Sequence, residues 1–284
     1  MTRAEMCFLF DNGSLRATAT LTLRRLAAAI EARIDCPVRP VSLLHSSAIS
    51  PKETEGRPAE LLEQALEGQL AAGMEKAVLL PLFFGPSGAI VDYLSRRIKA
   101  ISRRYPTARI QLARCVVNPS EPDDVRVASA LAERVREAVA TMSGPSRAQV
   151  VLVDHGSPKP GVAAARNHLG RQLAAILADG VHGVHVASME RRPGPRFAFN
   201  DPLLIDRLTT PPCDSGEVVI ALQFFSQGRH AGPDGDIAAI CSEAMKRRPS
   251  LRTRMTEPIG VADPLVSVLV DRFNEARQWT TGAH

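Results

Sequence analysis

The 284-residue chain is 45% hydrophobic and 23% charged, enough apolar material for two domains of about 140 residues each and too much for a disordered chain. Aromatic residues make up only 4%, with one Trp and two Tyr, which argues against an aromatic platform for nucleic acid and leaves Ala, Leu, Val and Ile to build the core. The 35 Lys and Arg exceed the 30 Asp and Glu by five; these cations are scattered without a polybasic block and favour an anionic partner.

The first short apolar run predicts a strand over 5–10, ending in Asp11-Asn12-Gly13-Ser14. Further runs predict strands over 38–44, 76–82 and 108–113, then 149–153, 183–188, 217–222 and 251–255, with an amphipathic helical stretch after each. In 160–178, Val162, Ala165, Leu169, Leu173 and Ile176 recur at spacings of three and four, one buried stripe of a helix. Nearly continuous apolar strands alternating with helices predict parallel sheets covered on both faces.

The second set of elements repeats the first. Met6–Ser14 (MCFLFDNGS) matches Gln149–Ser157 (QVVLVDHGS), and Ala77–Phe84 (AVLLPLFF) matches Val218–Phe225 (VVIALQFF). Pro122-Asp123 and its apolar continuation match Ala262-Asp263 and theirs. The fold class is therefore α/β, with two similar lobes related by internal duplication, each a parallel four-stranded sheet flanked by helices. The lobes are placed at 1–143 and 144–284, joined by a linker with turn chemistry over 142–147. In such sheets ligands bind at the loops leaving the carboxyl ends of the strands, here 11–16, 45–58 and 85–92, then 154–161, 189–200 and 226–236.

In the second half those loops carry chemistry. His155 follows its strand in Asp154-His155-Gly156-Ser157, His230 follows another in Gln227-Gly228-Arg229-His230, and Glu190 follows a third in Ser188-Met189-Glu190. Two imidazoles and a carboxylate on converging loops suit a labile divalent first-row ion or a proton acceptor near neutral pH. Asp154 is expected to orient His155, and Ser157 to cap the helix that follows. In the first half Asn12 replaces the first His and Ala89 or Gly88 the second, so a single site is expected, in the C-terminal lobe. His182 and His185 read as structural and His168 as a surface or packing residue of a helix, His284 is terminal, and His45, at a strand end of the first half, could line the cleft but has no evident partner. A GxxxxGK[ST], a GxGxxG after the first strand and a GxSxG are all missing, which disfavours nucleotide binding and a serine nucleophile. The five cysteines, Cys7, Cys36, Cys115, Cys213 and Cys241, form no CxxC and read as reduced thiols. With no secretory signal pattern at the start and no apolar run near the roughly 18 residues of a bilayer span, the expectation is a cytoplasmic protein free of membrane and nucleic acid.

The strand-Asp-His-Gly-Ser pattern, the Glu after the next strand, and Phe224-Phe225-Ser226-Gln227-Gly228-Arg229-His230 followed by Asp236-Ile237 resemble the CbiX/SirB-type class II sirohydrochlorin chelatases. The likeness extends to the first half through Val78–Gly85 and Asp92. It implies ATP-independent insertion of Fe2+ or Co2+ into sirohydrochlorin, for siroheme or cobalamin, with no permanently bound cofactor and the metal as substrate. By position, His155, His230 and Glu190 correspond to the family's metal-binding and proton-abstracting residues. The eight carboxylates of that tetrapyrrole would be met by cations among Lys159, Arg166, Arg191, Arg192, Arg196 and Arg229, foremost Arg191, Arg192 and Arg229, with Ser157 beside them. Many long members keep the His pair in the first half; here it stands only in the second. The lack of a His-rich tail or a cysteine cluster of the iron–sulfur type tips the metal toward Fe2+. A duplicated chain supplying both lobes is expected to be a monomer, and the alternative reading is a non-catalytic tetrapyrrole or metal carrier.

Overall fold

The structure is a computed structural model that describes residues 5–142 and 147–278. The boundary between the expected lobes, most of the expected linker and His284 lie outside the described residues. Two four-stranded parallel sheets are flanked by helices, as the alternation of apolar runs and amphipathic stretches predicts. The first contains β1 (Glu5–Asp11), β2 (Val38–Ser42), β3 (Lys76–Pro81) and β4 (Arg109–Leu112) in the order β2-β1-β3-β4. The second contains β5 (Gln149–Asp154), β6 (Gly183–Ser188), β7 (Gly216–Leu222) and β8 (Leu251–Met255) in the order β6-β5-β7-β8. The helices are α1 (Ala17–Glu31), α2 (Leu62–Ala71), α3 (Ser95–Arg104), α4 (Arg126–Ala140), α5 (Pro160–Leu177), α6 (Leu204–Leu208), α7 (Asp236–Arg247) and α8 (Asp263–Arg277).

Each central strand is buried on both faces. In β1, Phe8 and Phe10 face one core cluster with Val41, Leu66 and Leu79, while Cys7 and Leu9 point to the other side and are equally buried. In β5, Val151 and Val153 join Ala187, Ile220, Leu222 and Ile237, and Val150 and Leu152 fill the opposite face. Each such side chain contributes about 1.5–3 kcal/mol of burial, so the apolar runs end where the strands meet solvent and loops begin. In α5, Pro160 sits at the first position, where its missing N–H costs nothing. Ala165, Leu169 and Leu173 supply the buried stripe that the spacing predicts.

The compact units do not follow the two sequence halves. One comprises the described part of 1–116 together with that of 265–284, the other 117–264. α4 follows the first sheet in sequence yet belongs to the unit of the second: Gln172 Nε2 in α5 donates to Pro122 O at 3.0 Å and Asp124 O at 3.1 Å. α8 follows the second sheet and belongs to the unit of the first, where Arg277 pairs with Glu5 of β1 at 2.8 Å and Arg114 with Glu275 at 2.8 Å. Repetition in sequence reports which elements exist, while packing decides where they lie.

In the second sheet the strand order reverses between β5 and β7. There the loops leaving adjacent strand ends run in opposite directions and open a crevice.

Candidate functional site at the ends of β5, β6 and β7

His155 is the residue after β5, Glu190 lies two residues after β6, and His230 lies in the loop between β7 and α7. All three stand at the carboxyl end of the second sheet, the two histidines on either side of its switch point. The imidazole centroids are 4.6 Å apart with an interplanar angle of 57°. Glu190 Oε1 lies 3.5 Å from His155 Nε2. The sequence-predicted trio is therefore brought together, with all three side chains open to solvent.

The backbone holds these groups by continuing the β5–β6 pairing past the strands. Met189 N donates to Asp154 O at 2.8 Å and Glu190 N to His155 O at 3.2 Å. Gly156 makes this possible, since at φ +89° a Cβ there would lie 1.9 Å from Glu190 O. The Nδ1 atom of His155 is 3.1 Å from Gly156 O, and that of His230 is 2.6 Å from Asp236 Oδ2. Both partners only accept, so each neutral ring carries its hydrogen on Nδ1 and keeps a lone pair on Nε2.

Below the histidines lies a buried polar row. Ser188 Oγ donates to Asp154 Oδ1 at 2.6 Å. Arg166, 1% exposed, donates to Ser188 Oγ, to Asn200 O at 3.0 Å and to Phe199 O at 3.2 Å. Burial pushes the Asp154 carboxyl above its usual range, an effect that Arg166 and the Ser188 hydroxyl only partly offset. Asn200 is fully buried and exchanges two bonds of 2.9 Å with the Ser157 backbone. Loops 154–157 and 189–200 are thus one hydrogen-bonded body.

Three sequence expectations change here, those for Asp154, Arg166 and Ser157. Asp154 does not orient His155; it turns inward to Ser188 because the residue before the exposed His is still on the buried face of β5. Arg166 does not line the loops as a free cation; it sits inside the fold and binds them together. Arg191 pairs with Asp201 at 2.7 Å and donates to Gly194 O at 3.1 Å, while Arg229 lies 3.6 Å from Asp236 Oδ2 and, like Arg192, is an exposed guanidinium beside the site. Arg196 stacks on Phe197 at 4.7 Å. Ser157 does not cap α5, whose N-cap position is Lys159 without a side-chain cap bond; its Oγ accepts the N–H of Lys159 at 3.1 Å in the turn just before the helix. His185 is bonded to Gln149 at 3.0 Å across β6 and β5, and His168 is buried in α5; burial lowers the pKa of both. Asp236 and Asn200 are functional neighbours that the sequence did not assign. Asp236 falls in the recognised motif, whereas Asn200 reads only as a turn residue.

Among the described residues no three His, Cys, Asp or Glu side chains form a ready metal cage. Cys213 and Cys241 are buried in the core of this unit, and burial pushes their thiols up to about 11. What remains is a partial set. Two bonds of about 2.0–2.2 Å to one ion at a tetrahedral angle set their donor atoms roughly 3.4 Å apart, close to the observed 3.5 Å between His155 Nε2 and Glu190 Oε1. The first unit has the same turn without these groups: Leu43 N and Leu44 N pair with Asp11 O and Asn12 O at 2.9 and 3.2 Å, which sets Asn12 opposite His155 and Leu44 opposite Glu190.

Among the described residues no helix is long and apolar enough to cross a membrane. Comparison with curated protein sequences gave no match. The chain resembles the structure of SirB from Bacillus subtilis with Fe3+ at a TM-score of 0.67 and 16% identity, covering 97% of this chain and 96% of that one. It also resembles the sirohydrochlorin chelatase SirB from Bacillus subtilis subspecies spizizenii in complex with cobalt (0.65, 16%, covering 98% and 97%). A third likeness is to CbiX, described as the terminal enzyme for biosynthesis of siroheme in denitrifying bacteria (0.58, 15%, covering 96% and 99%). Residues 149–276, which carry His155, Glu190 and His230, match the CbiX family model, and the fold around them is that of the SirB and CbiX structures.

Proposed function

We propose that the chain is a sirohydrochlorin chelatase that inserts a divalent metal, Fe2+ in preference to Co2+, without ATP, using one site in the C-terminal lobe. The observation that carries this reading is the pairing of His155 and His230 at the switch point, with ring centroids 4.6 Å apart and Glu190 at 3.5 Å.

Metallation of a free-base macrocycle needs a weakly held ion, acceptors for two pyrrole protons and a means of holding the ring. An incomplete shell of imidazole and carboxylate suits an ion that must leave, because the open positions are available to the macrocycle nitrogens. Each Nε2 lone pair can bind the ion or take a proton, and Glu190 can accept the second proton. Arg192 and Arg229 are the exposed cations that would meet substrate carboxylates by charge-assisted hydrogen bonds, Arg229 from its loose 3.6 Å pair with Asp236. Arg191 fixes loop 191–201 through Asp201 and reaches a carboxylate only by giving up that pair. Ser157, whose hydroxyl oxygen accepts from Lys159 N, can still donate its O–H to a substrate carboxylate. Iron is favoured because the five cysteines are free and dispersed, with no thiolate cluster of the kind seen in some cobalt-inserting relatives. The chain works as a monomer in the cytoplasm, and the metal is its substrate.

The test is an absorbance assay with sirohydrochlorin and equal Fe2+ and Co2+. Catalysed metallation with Fe2+ ahead is expected, and His155→Ala and His230→Ala should each lower the rate by about 10²-fold or more while Asn12→Ala leaves it unchanged. Wild-type metallation no faster than the uncatalysed reaction, with stoichiometric tetrapyrrole binding, would select a carrier instead.

A further inference from the structure

The structure assigns Asp236 as a positioning residue that holds His230 with its hydrogen on Nδ1 and its Nε2 lone pair turned to the reacting centre. This rests on the chelatase reading for its consequence to catalysis, but the pairing itself stands on geometry.

Three observations support it. The contact is short, 2.6 Å between His230 Nδ1 and Asp236 Oδ2, within the range of a charge-assisted bond. Asp236 is the first residue of α7, where the exposed amides and the helix dipole stabilise a carboxylate. The backbone is built around the same contact: Asp236 N donates to Arg229 O and Ile237 N to His230 O, both at 3.2 Å. That approach requires glycine at 235, since a Cβ there would lie 2.6 Å from His230 O. The imidazole is therefore held by main chain and side chain together, on a rigid helix end.

The first unit offers a comparison. Phe10 O accepts from Leu82 N just as Val153 O accepts from Gln223 N, at 2.8 and 3.0 Å, which aligns β3 with β7 and sets Ala89 opposite His230. There the helical turns start at Ala89 itself and run into α3, with Asp92 in the first turn, so an acidic residue stands near the helix start but an alanine stands in place of the histidine. By contrast, the aspartate that ends the first strand is present in both units, as Asp11 and Asp154, and makes the same bond to a serine in each, to Ser42 and Ser188. The strand-end aspartate is thus common to both units, whereas the imidazole that Asp236 holds occurs only in the second. His155 is held differently, by the Gly156 carbonyl at 3.1 Å, so a carboxylate partner distinguishes the two rings.

The experiment compares wild type, Asp236→Asn and Asp236→Glu in the full chain. The tautomer of His230 is read from 15N shifts of imidazole-labelled protein without metal or tetrapyrrole, and the kinetics from metallation with Fe2+. Wild type should show His230 as the Nδ1–H form, Asp236→Asn a shift toward Nε2–H, and Asp236→Glu a partial return. The kcat of Asp236→Asn should fall about 10–100-fold, as happens when a carboxylate hydrogen-bonded to a ligand histidine is lost, with KM for the tetrapyrrole within about twofold and Asp236→Glu intermediate. An unchanged tautomer in Asp236→Asn overturns the assignment, and so does a changed tautomer with undiminished kcat. If the tautomer follows Asp236 while wild type metallates nothing, the pairing is upheld and the chelatase reading fails.

Discussion

Asp11 shows how a single carboxyl at a strand end couples this fold to pH. Burial raises its pKa to about 6, against the lowering effect of its bonds to Ser42 and to Gly13 N at 3.0 Å. A carboxyl with a raised folded-state pKa binds its proton more tightly in the fold than in the unfolded chain. Its stabilisation is therefore complete below about pH 4 and is lost as pH rises through about 6. A gap of about two units corresponds to at most about 2–3 kcal/mol. Asp11→Asn, which keeps one acceptor and cannot ionise, should match wild type in thermal midpoint near pH 4.5 and exceed it by several degrees at pH 8. A difference that does not grow with pH would refute this account. At this scale His155, Glu190 and His230 were legible because each follows an apolar run closely enough for its loop to be placed. The inward turn of Asp154 and the burial of Arg166 were not, because the first depends on which face of β5 its residue occupies and the second on a bond network spanning three elements.

At the scale of elements, Arg166 joins α5, the end of β6 and the loop 195–200. Its guanidinium satisfies Ser188 Oγ and the carbonyls of Phe199 and Asn200, and lies 3.6 Å from Asp154 Oδ1. Arg166→Met keeps much of the volume but leaves these acceptors buried without a donor, so a loss of about 3–5 kcal/mol in urea unfolding is expected. Arg166→Lys should also destabilise, because a single ammonium cannot span acceptors arranged for a planar fork. A cost below about 1 kcal/mol for the Met variant would mean that the network is not a structural link. Helix and strand identities were read from the period of the apolar residues, and strand ends fell within one or two residues of expectation. In α5 the buried stripe runs through Leu173 to Leu177 rather than Ile176. The stripe also takes in Arg166, His168 and Gln172, polar residues that a hydrophobic pattern cannot flag.

At the scale of the whole molecule, each compact unit takes in the last helix of the other half of the sequence, so stability is distributed differently from the repeat. Phe273 of α8 and Leu131 of α4 are both essentially buried, at 0% and 1% exposure, and truncating either to Ala should cost roughly 2–5 kcal/mol. Their effects should appear in different places. With α8 in the unit of the first sheet, Phe273→Ala should speed amide hydrogen exchange in β1–β4, while Leu131→Ala, on a helix of the other unit, should speed it in β5–β8. An arrangement in which each half of the sequence packs on itself predicts the reverse pattern. Peptide-resolved exchange on the two variants separates them, since local openings report the cooperative unit to which a helix belongs. The consequence for the site follows from the same placement: α4 packs in the unit that holds His155, Glu190 and His230. Leu131→Ala should therefore loosen the loops bearing the site, although its own helix lies in the half of the sequence without the histidines. Exchange changes confined to β1–β4 in Leu131→Ala would sink this view.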